Sequence, residues 1–169
     1  TDMPYDYFLL ELKSETYFID FLASYTIYVF GSDCEGIEVG KFSKLQVGDC
    51  VQCENIHNHI LVKKGKATFL LAGTKSPATS VESVELTKKP NIYCVTKPWG
   101  HELWVNGHHP NYALKQIYLK AGHKTSLQFH EFKCETNILF SGVANLHYVE
   151  EDVAKKPFKI TSSEVRKQK

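Results

Sequence analysis

Short runs of β-branched and aromatic residues, each cut off by Gly, Asn, Asp or Lys, constrain this chain more than any other feature. They are Tyr25-Thr26-Ile27-Tyr28-Val29-Phe30, Ile60-Leu61-Val62, Thr68-Phe69-Leu70-Leu71 and Ile138-Leu139-Phe140. Such residues fit the pleated, half-buried surface of a strand, and most of these runs are too short for a helix. Turn signals fall between them at Gly31-Ser32-Asp33, Gly40-Lys41, Gly48-Asp49, Lys64-Gly65, Asn106-Gly107, Ala121-Gly122 and Ser141-Gly142. Strands this short and this often interrupted imply an all-β sandwich or barrel. Phe18–Tyr25 has the apolar spacing of a short helix, but the aromatics after it favour strand, and both readings stand at this point.

The stretch Thr74–Lys89 holds Ser, Thr, Pro and Lys with few large apolar residues, so it reads as a linker or an exposed edge segment. The expected organisation is therefore a β-unit over 1–75, a linker over 76–91 and a second β-unit over 92–169. An aromatic strand ending in glycine occurs in both parts, at Tyr28–Gly31 and Leu139–Gly142, as two related units in tandem would give. Apolar residues make up 43% of the 169, enough for a packed core without disulfides. Lys and Arg number 20 against 19 Asp and Glu, and no region is strongly basic, so no nucleic-acid partner is expected. No apolar run is long enough to span a bilayer, and no membrane association is expected. The N-terminus lacks the basic and apolar pattern of a secretion signal. The five cysteines Cys34, Cys50, Cys53, Cys94 and Cys134 form no framework pattern and read as free thiols. A cytoplasmic protein is expected.

The chemistry-bearing stretch is Gly122–His130, followed by Glu131-Phe132-Lys133-Cys134-Glu135. On a strand, Ser126, Gln128 and His130 share one face while Leu127 and Phe129 take the other. If the polar face lined a barrel interior, Gln128 and His130 would converge, and an antiparallel return could bring Glu135 to the same point. An amide oxygen, an imidazole and a carboxylate make a mixed N/O donor set for a borderline divalent ion. The competing reading is a polar lumen whose groups satisfy one another without metal.

The spacing Gly-x5-Gln-x-His-x4-Glu-x6-Gly, met by Gly122, Gln128, His130, Glu135 and Gly142, resembles the first motif of the cupins. Most cupins carry His at the position of Gln128. The mannose-6-phosphate-isomerase-like (type II) cupins carry Gln there, within a Ser-Leu-Gln-x-His string matched by Ser126–His130. Lys97-Pro98-Trp99-Gly100 resembles the Pro-Trp-Gly signature that opens those domains, and Lys115–Gly122 falls where they have a strand running into a turn. The resemblance covers 95–142. It implies a cupin-type antiparallel β-barrel (jelly roll), with the earlier half of the chain a second, diverged cupin unit. It also implies Gln128, His130 and Glu135 as ligands of a divalent metal, Zn²⁺ first, with Mn²⁺, Fe²⁺ or Ni²⁺ as alternatives. The second motif of the family, a Gly-Asp turn followed about ten residues later by His, does not occur after Gly142. His147 stands too early for it.

A Gly-Asp…His element does occur earlier, as Gly48-Asp49 with His59 eleven residues after the glycine. The first-motif region of that half, Leu12–Phe30, has no His. Only His57 and His59, with Glu11 or Glu15 at a distance, could serve a metal there, so a barrel without metal is the simpler expectation. Cys50-x2-Cys53 would face opposite sides of one strand, which favours buried or edge thiols over joint ligation. His108 and His109 precede Pro110 in a turn and read as solvated. Trp99 and Trp104 read as core or rim aromatics.

What the resemblance implies is a metal-dependent sugar-phosphate isomerase, exchanging aldose and ketose. Gln128, His130 and Glu135 would hold the metal, Lys133 or Lys115 would meet the phosphate, and Glu131 or His123 would move the proton. The substrate class would be a sugar phosphate or nucleotide sugar. Surface lysine is the plainer reading of Lys115 and Lys133. The alternative is a non-catalytic sugar-binding or assembly cupin. A dioxygenase would use two or three His, and Gln128 argues against it. By analogy with cupins that pair through sheet edges, a homodimer is expected.

Overall fold

The computed structural model describes residues 5–128 and 134–147, and the strand backbones at 149–150, 153–154, 158–161 and 165–168. It is all-β and antiparallel, the class to which the cupin jelly roll belongs, with one 3-10 turn, η1 (Lys89–Asn91), among the described residues. Two compact units divide it, Thr1–Ser126 and Leu127–Lys169.

The first unit is built on two long strands, β3 (Ser24–Val39) and β5 (Asn58–Thr74), paired antiparallel along their length. β1 (Asp6–Lys13) and β2 (Thr16–Ile19) pair with the two halves of β5 on its other side. β4 (Cys50–Glu54) extends the sheet from β3, and β6 (Ser83–Thr87) pairs with β4 at the edge. The stretch expected as a linker or an edge segment thus carries an edge strand. Phe18–Tyr25 contributes the end of β2 and the start of β3, which resolves that ambiguity in favour of strand.

Two of the turn signals are kinks instead. Gly31-Ser32-Asp33 lies inside β3, where the register slips between Val29 and Gly31 as in a β-bulge. Lys64-Gly65 lies inside β5, so Ile60–Val62 and Thr68–Leu71 are two parts of one strand. Lys64 and Gly65 both have positive φ, which bends a strand without ending its ladder. Alternate residues Tyr25, Ile27 and Val29 face a core with Ile60, Phe69 and Leu71, all buried. Apolar side chains fill the inner face of this unit.

β7 (Tyr93–Lys97), β8 (Gly100–Trp104) and β9 (Lys115–Leu119) form a three-stranded sheet in the same unit. Gly100, the glycine of the Pro-Trp-Gly string, opens β8 with φ +151°, and a Cβ there would fall onto the Tyr118 carbonyl oxygen. The close backbone approach explains why that position is glycine.

In the second unit, β10 (Glu135–Ile138) pairs with β15 (Val165–Gln168) and β11 (Val143–Leu146) with β14 (Phe158–Thr161). Innermost, β12 (Val149–Glu150) pairs with β13 (Val153–Ala154). Three nested antiparallel pairs are the pairing order from which a jelly roll is wound.

Candidate functional site

The metal string begins at the end of the described run. Gln128 is exposed, outside any strand. His130, Glu131 and Lys133 lie outside the described residues. Glu135 opens β10, half-buried, opposite Gln168 of β15. Among the described residues no three of His, Cys, Asp and Glu gather closely enough to hold a metal. The donor set Gln128, His130 and Glu135 nonetheless has the mixed N/O chemistry that suits a borderline divalent ion.

His123 sits on the exposed Ala121-Gly122 turn, with Nδ1 3.0 Å from the Ala121 carbonyl oxygen. A carbonyl only accepts, so Nδ1 carries the proton and the Nε2 lone pair is left to act as a base. Lys115, on β9, lies with Nζ 3.6 Å from Glu102 Oε2 and 3.6 Å from the centre of the Trp104 ring. Its charge is therefore held over an aromatic face, a cation–π contact, rather than loose in solvent.

One polar cluster of the first unit escaped the sequence reading. His109 is not solvated: its side chain is 7% exposed, with Nε2 2.8 Å from Glu54 Oε1 and 3.0 Å from Ser24 Oγ. Ser24 Oγ also donates to Glu54 Oε1 at 2.5 Å, and the Ala78 amide donates to Oε2 at 3.1 Å. The Asn111 amide donates to His109 Nδ1 at 3.2 Å, so Nε2 carries the proton and points it at Glu54. Burial acts to raise the Glu54 pKa, but the bonds from Ser24, His109 and Ala78 outweigh it and hold the carboxyl below its ordinary range. Because Ser24 and Glu54 meet the same imidazole nitrogen and the serine proton goes to Glu54, this is a lock and not a nucleophile–base relay.

The lock continues along β3. Thr26 Oγ1 lies 2.7 Å from Tyr112 Oη, and Tyr28 Oη donates to Gln116 Oε1 at 2.7 Å. Residues 24, 26 and 28 share one strand face, so these three alternate residues at the start of β3 grip the segment 109–116. Asn106 closes the loop from within, donating to the Tyr112 carbonyl at 3.1 Å and accepting from the Leu114 amide at 2.8 Å. The local cue His-His-Pro suits a turn, and no local signal points to a carboxylate 55 positions away.

The Gly48-Asp49 turn has a structural use. Gly48 takes φ +95°, and buried Asp49 accepts from the Gln46 amide at 2.9 Å, Lys88 Nζ at 2.8 Å and the Lys89 amide at 3.1 Å. Burial again acts to raise its pKa, and these bonds prevail and lower it. His59 shares the outer side of β5, its ring 6.1 Å from Phe18, while its neighbour Ile60 faces the core. His57 is exposed, Glu11 pairs with Lys13 and Lys66, and Glu15 accepts from the Lys13 amide. These groups do not converge.

Cys50 and Cys53 are free and both buried, on opposite faces of β4. Burial pushes the Cys50 thiol up to about 12 and raises Cys53 as well, so neither is a poised thiolate.

Residues 82–162 match the family model described as mannose-6-phosphate isomerase C-terminal. Over this segment, just under half of the chain, the sequence is similar to the cupins of that family. The match begins at the edge strand β6, takes in Pro98-Trp99-Gly100 and the whole of Gln128–Glu135, and ends after β14. Neither the curated proteins nor the solved structures yield a match. Among the described residues no helix is long and apolar enough to cross a membrane.

Proposed function

We propose that this chain is a metal-dependent, sugar-phosphate-handling cupin that interconverts an aldose and a ketose phosphate. The observation that carries the reading is the family match laid over an intact Gln-x-His-x4-Glu string. Gln128, His130 and Glu135 would hold a divalent ion, Zn²⁺ first, whose contribution when bound is to polarise a sugar carbonyl. The remaining work belongs to the chain. A base must carry a proton between adjacent carbons, the task of Glu131 or of the free Nε2 of His123. Lys133 or Lys115 would meet the phosphate, and Lys115, held over Trp104 beside Glu102, reaches it only by leaving that pair. A cytoplasmic homodimer is the setting we propose for this activity.

Elemental analysis of the purified chain beside a Gln128→Ala/His130→Ala double variant tests the site. About one metal per chain, lost in the double variant, together with turnover of a hexose 6-phosphate, is the expected result. A chain that stays metal-free after incubation with Zn²⁺, Mn²⁺ and Fe²⁺ overturns the catalytic reading and leaves a cupin that binds without reacting.

A further inference from the structure

The sheet β7–β9 carries a second set of polar and aromatic groups that uses none of the metal-string residues and includes Lys115, already paired with Glu102. Pairing sets Tyr93 opposite Trp104, and Trp104 opposite Lys115. Opposite residues in an antiparallel ladder project from the same face, and Glu102, two positions before Trp104, shares it. Gln116 projects from the other face, where it accepts from Tyr28. The row Tyr93–Trp104–Lys115 is thus turned away from β3. His109 and His108, adjacent in the loop, divide in the same way: His109 is locked to Glu54, and His108 lies over the row, its ring 5.3 Å from Trp104 and 6.3 Å from Tyr93.

Three features of this row are unexplained by the fold. The Trp104 indole Nε1 is buried and is the only such side-chain atom without a hydrogen-bond partner among the described residues. A buried N–H left unpaired carries its full desolvation cost, so an acceptor is expected there. Tyr93 is 58% exposed, an aromatic side chain open to solvent at the β7 end of the paired row. Exposed His108 has ring contacts but no hydrogen bond among the described residues.

We propose that Tyr93, Trp104, Lys115, Glu102 and His108 form a platform for a pyranose ring. A pyranose has an apolar C–H face and a rim of hydroxyls that both donate and accept. Tyr93 supplies the aromatic face, Glu102 accepts, Lys115 donates, and His108 can do either. A bare anion would be opposed by Glu102, and a purely apolar ligand would leave the Lys115–Glu102 pair unserved. The platform rests on the sugar-handling reading above for its place in a function, but not on the metal.

The chain has two tryptophans, so Trp99→Phe leaves Trp104 as the sole indole reporter. The test titrates this variant, with EDTA present, with mannose, mannose 6-phosphate and inorganic phosphate while following Trp104 emission. Calorimetric titration of the unmodified chain runs in parallel. A saturable change with both sugars and none with phosphate is expected. Tyr93→Ala and Glu102→Gln, each shown folded by its thermal transition, should weaken sugar binding about tenfold or more, as truncation of an aromatic or polar anchor does. No saturable sugar response in either measurement overturns the platform, as does an equal response to phosphate alone or binding that both substitutions leave unchanged. Sugar binding by a chain that takes up no metal would sink the isomerase and keep the platform. A metal-loaded chain whose sugar affinity ignores Tyr93 and Glu102 would do the reverse.

Discussion

At the scale of single residues, Asp49 shows how a familiar signature can serve structure. The Gly-Asp turn resembles a motif that precedes a metal-binding histidine, yet its carboxylate is spent on two amides and Lys88, tying the turn to the chain at 88–89. Asp49→Ala leaves the Gln46 and Lys89 amides unpaired, at a cost of about 2–3 kcal/mol. Urea unfolding should show a lower midpoint with an unchanged slope. Acid sensitivity follows from the same bonds. Asp49 and Glu54 both have lowered pKa values in the fold, so the unfolded chain takes up their protons first as pH falls. Their stabilisation is full above the ordinary carboxylate range, near pH 4, and drains away as pH falls through the lowered folded values. Unfolding midpoints measured across that window should fall less steeply in Asp49→Asn than in the unaltered chain.

At the scale of elements, the grip of β3 on residues 109–116 decides how firmly the three-stranded sheet is held within the first unit. His109→Ala removes the proton donor to a largely buried carboxylate and should cost about 1.5–3 kcal/mol, the range for hydrogen bonds to charged groups. Hydrogen exchange provides a finer readout, since the Val105 and Leu114 amides are bonded within the loop that His109 anchors. Both should exchange faster in the variant, while amides of the β3–β5 ladder should not. Unchanged exchange at Val105 and Leu114 would show that Asn106 alone closes the loop. The strands themselves were readable, because β-branched and aromatic clusters fall in β3 and β5 as expected. Their lengths were not. Gly31 and Gly65 look the same in sequence whether they end a strand or bend one, and only the partner strand's register decides between the two. His109 was missed for a related reason: its environment is set by Glu54 and Ser24, brought to it by sheet pairing. The metal string was legible as spacing, whereas convergence on one point is a tertiary property that intervals do not carry.

At the scale of the whole molecule, the five thiols report how burial is distributed. Cys94 and Cys134 are exposed, Cys34 is half-buried, and Cys50 and Cys53 are buried on the two faces of β4. Labelling of the native chain with a thiol reagent near pH 8 should modify Cys94 and Cys134 first and Cys34 next. Cys34 is slowed by its contacts with Ser32 Oγ at 3.2 Å and the Gly36 carbonyl at 3.5 Å. Cys50 and Cys53 should react only when β4 leaves the sheet. Two effects protect them together: the reagent cannot reach them, and burial keeps them protonated, Cys50 up to about 12. Their labelling rate should therefore track the opening free energy of the first unit and rise with urea along the global unfolding line. Mass spectrometry of timed samples separates the five sites. Early labelling of Cys53 alone would mean that the core face of β4 opens without the rest, and early labelling of Cys50 alone would mean that the 109–116 segment lifts from β3. A joint, late modification of both would show that the lock of Ser24, Glu54 and His109 and the apolar core fail as one cooperative unit. In that case any site on β7–β9 stands on a scaffold as stable as the first sheet itself.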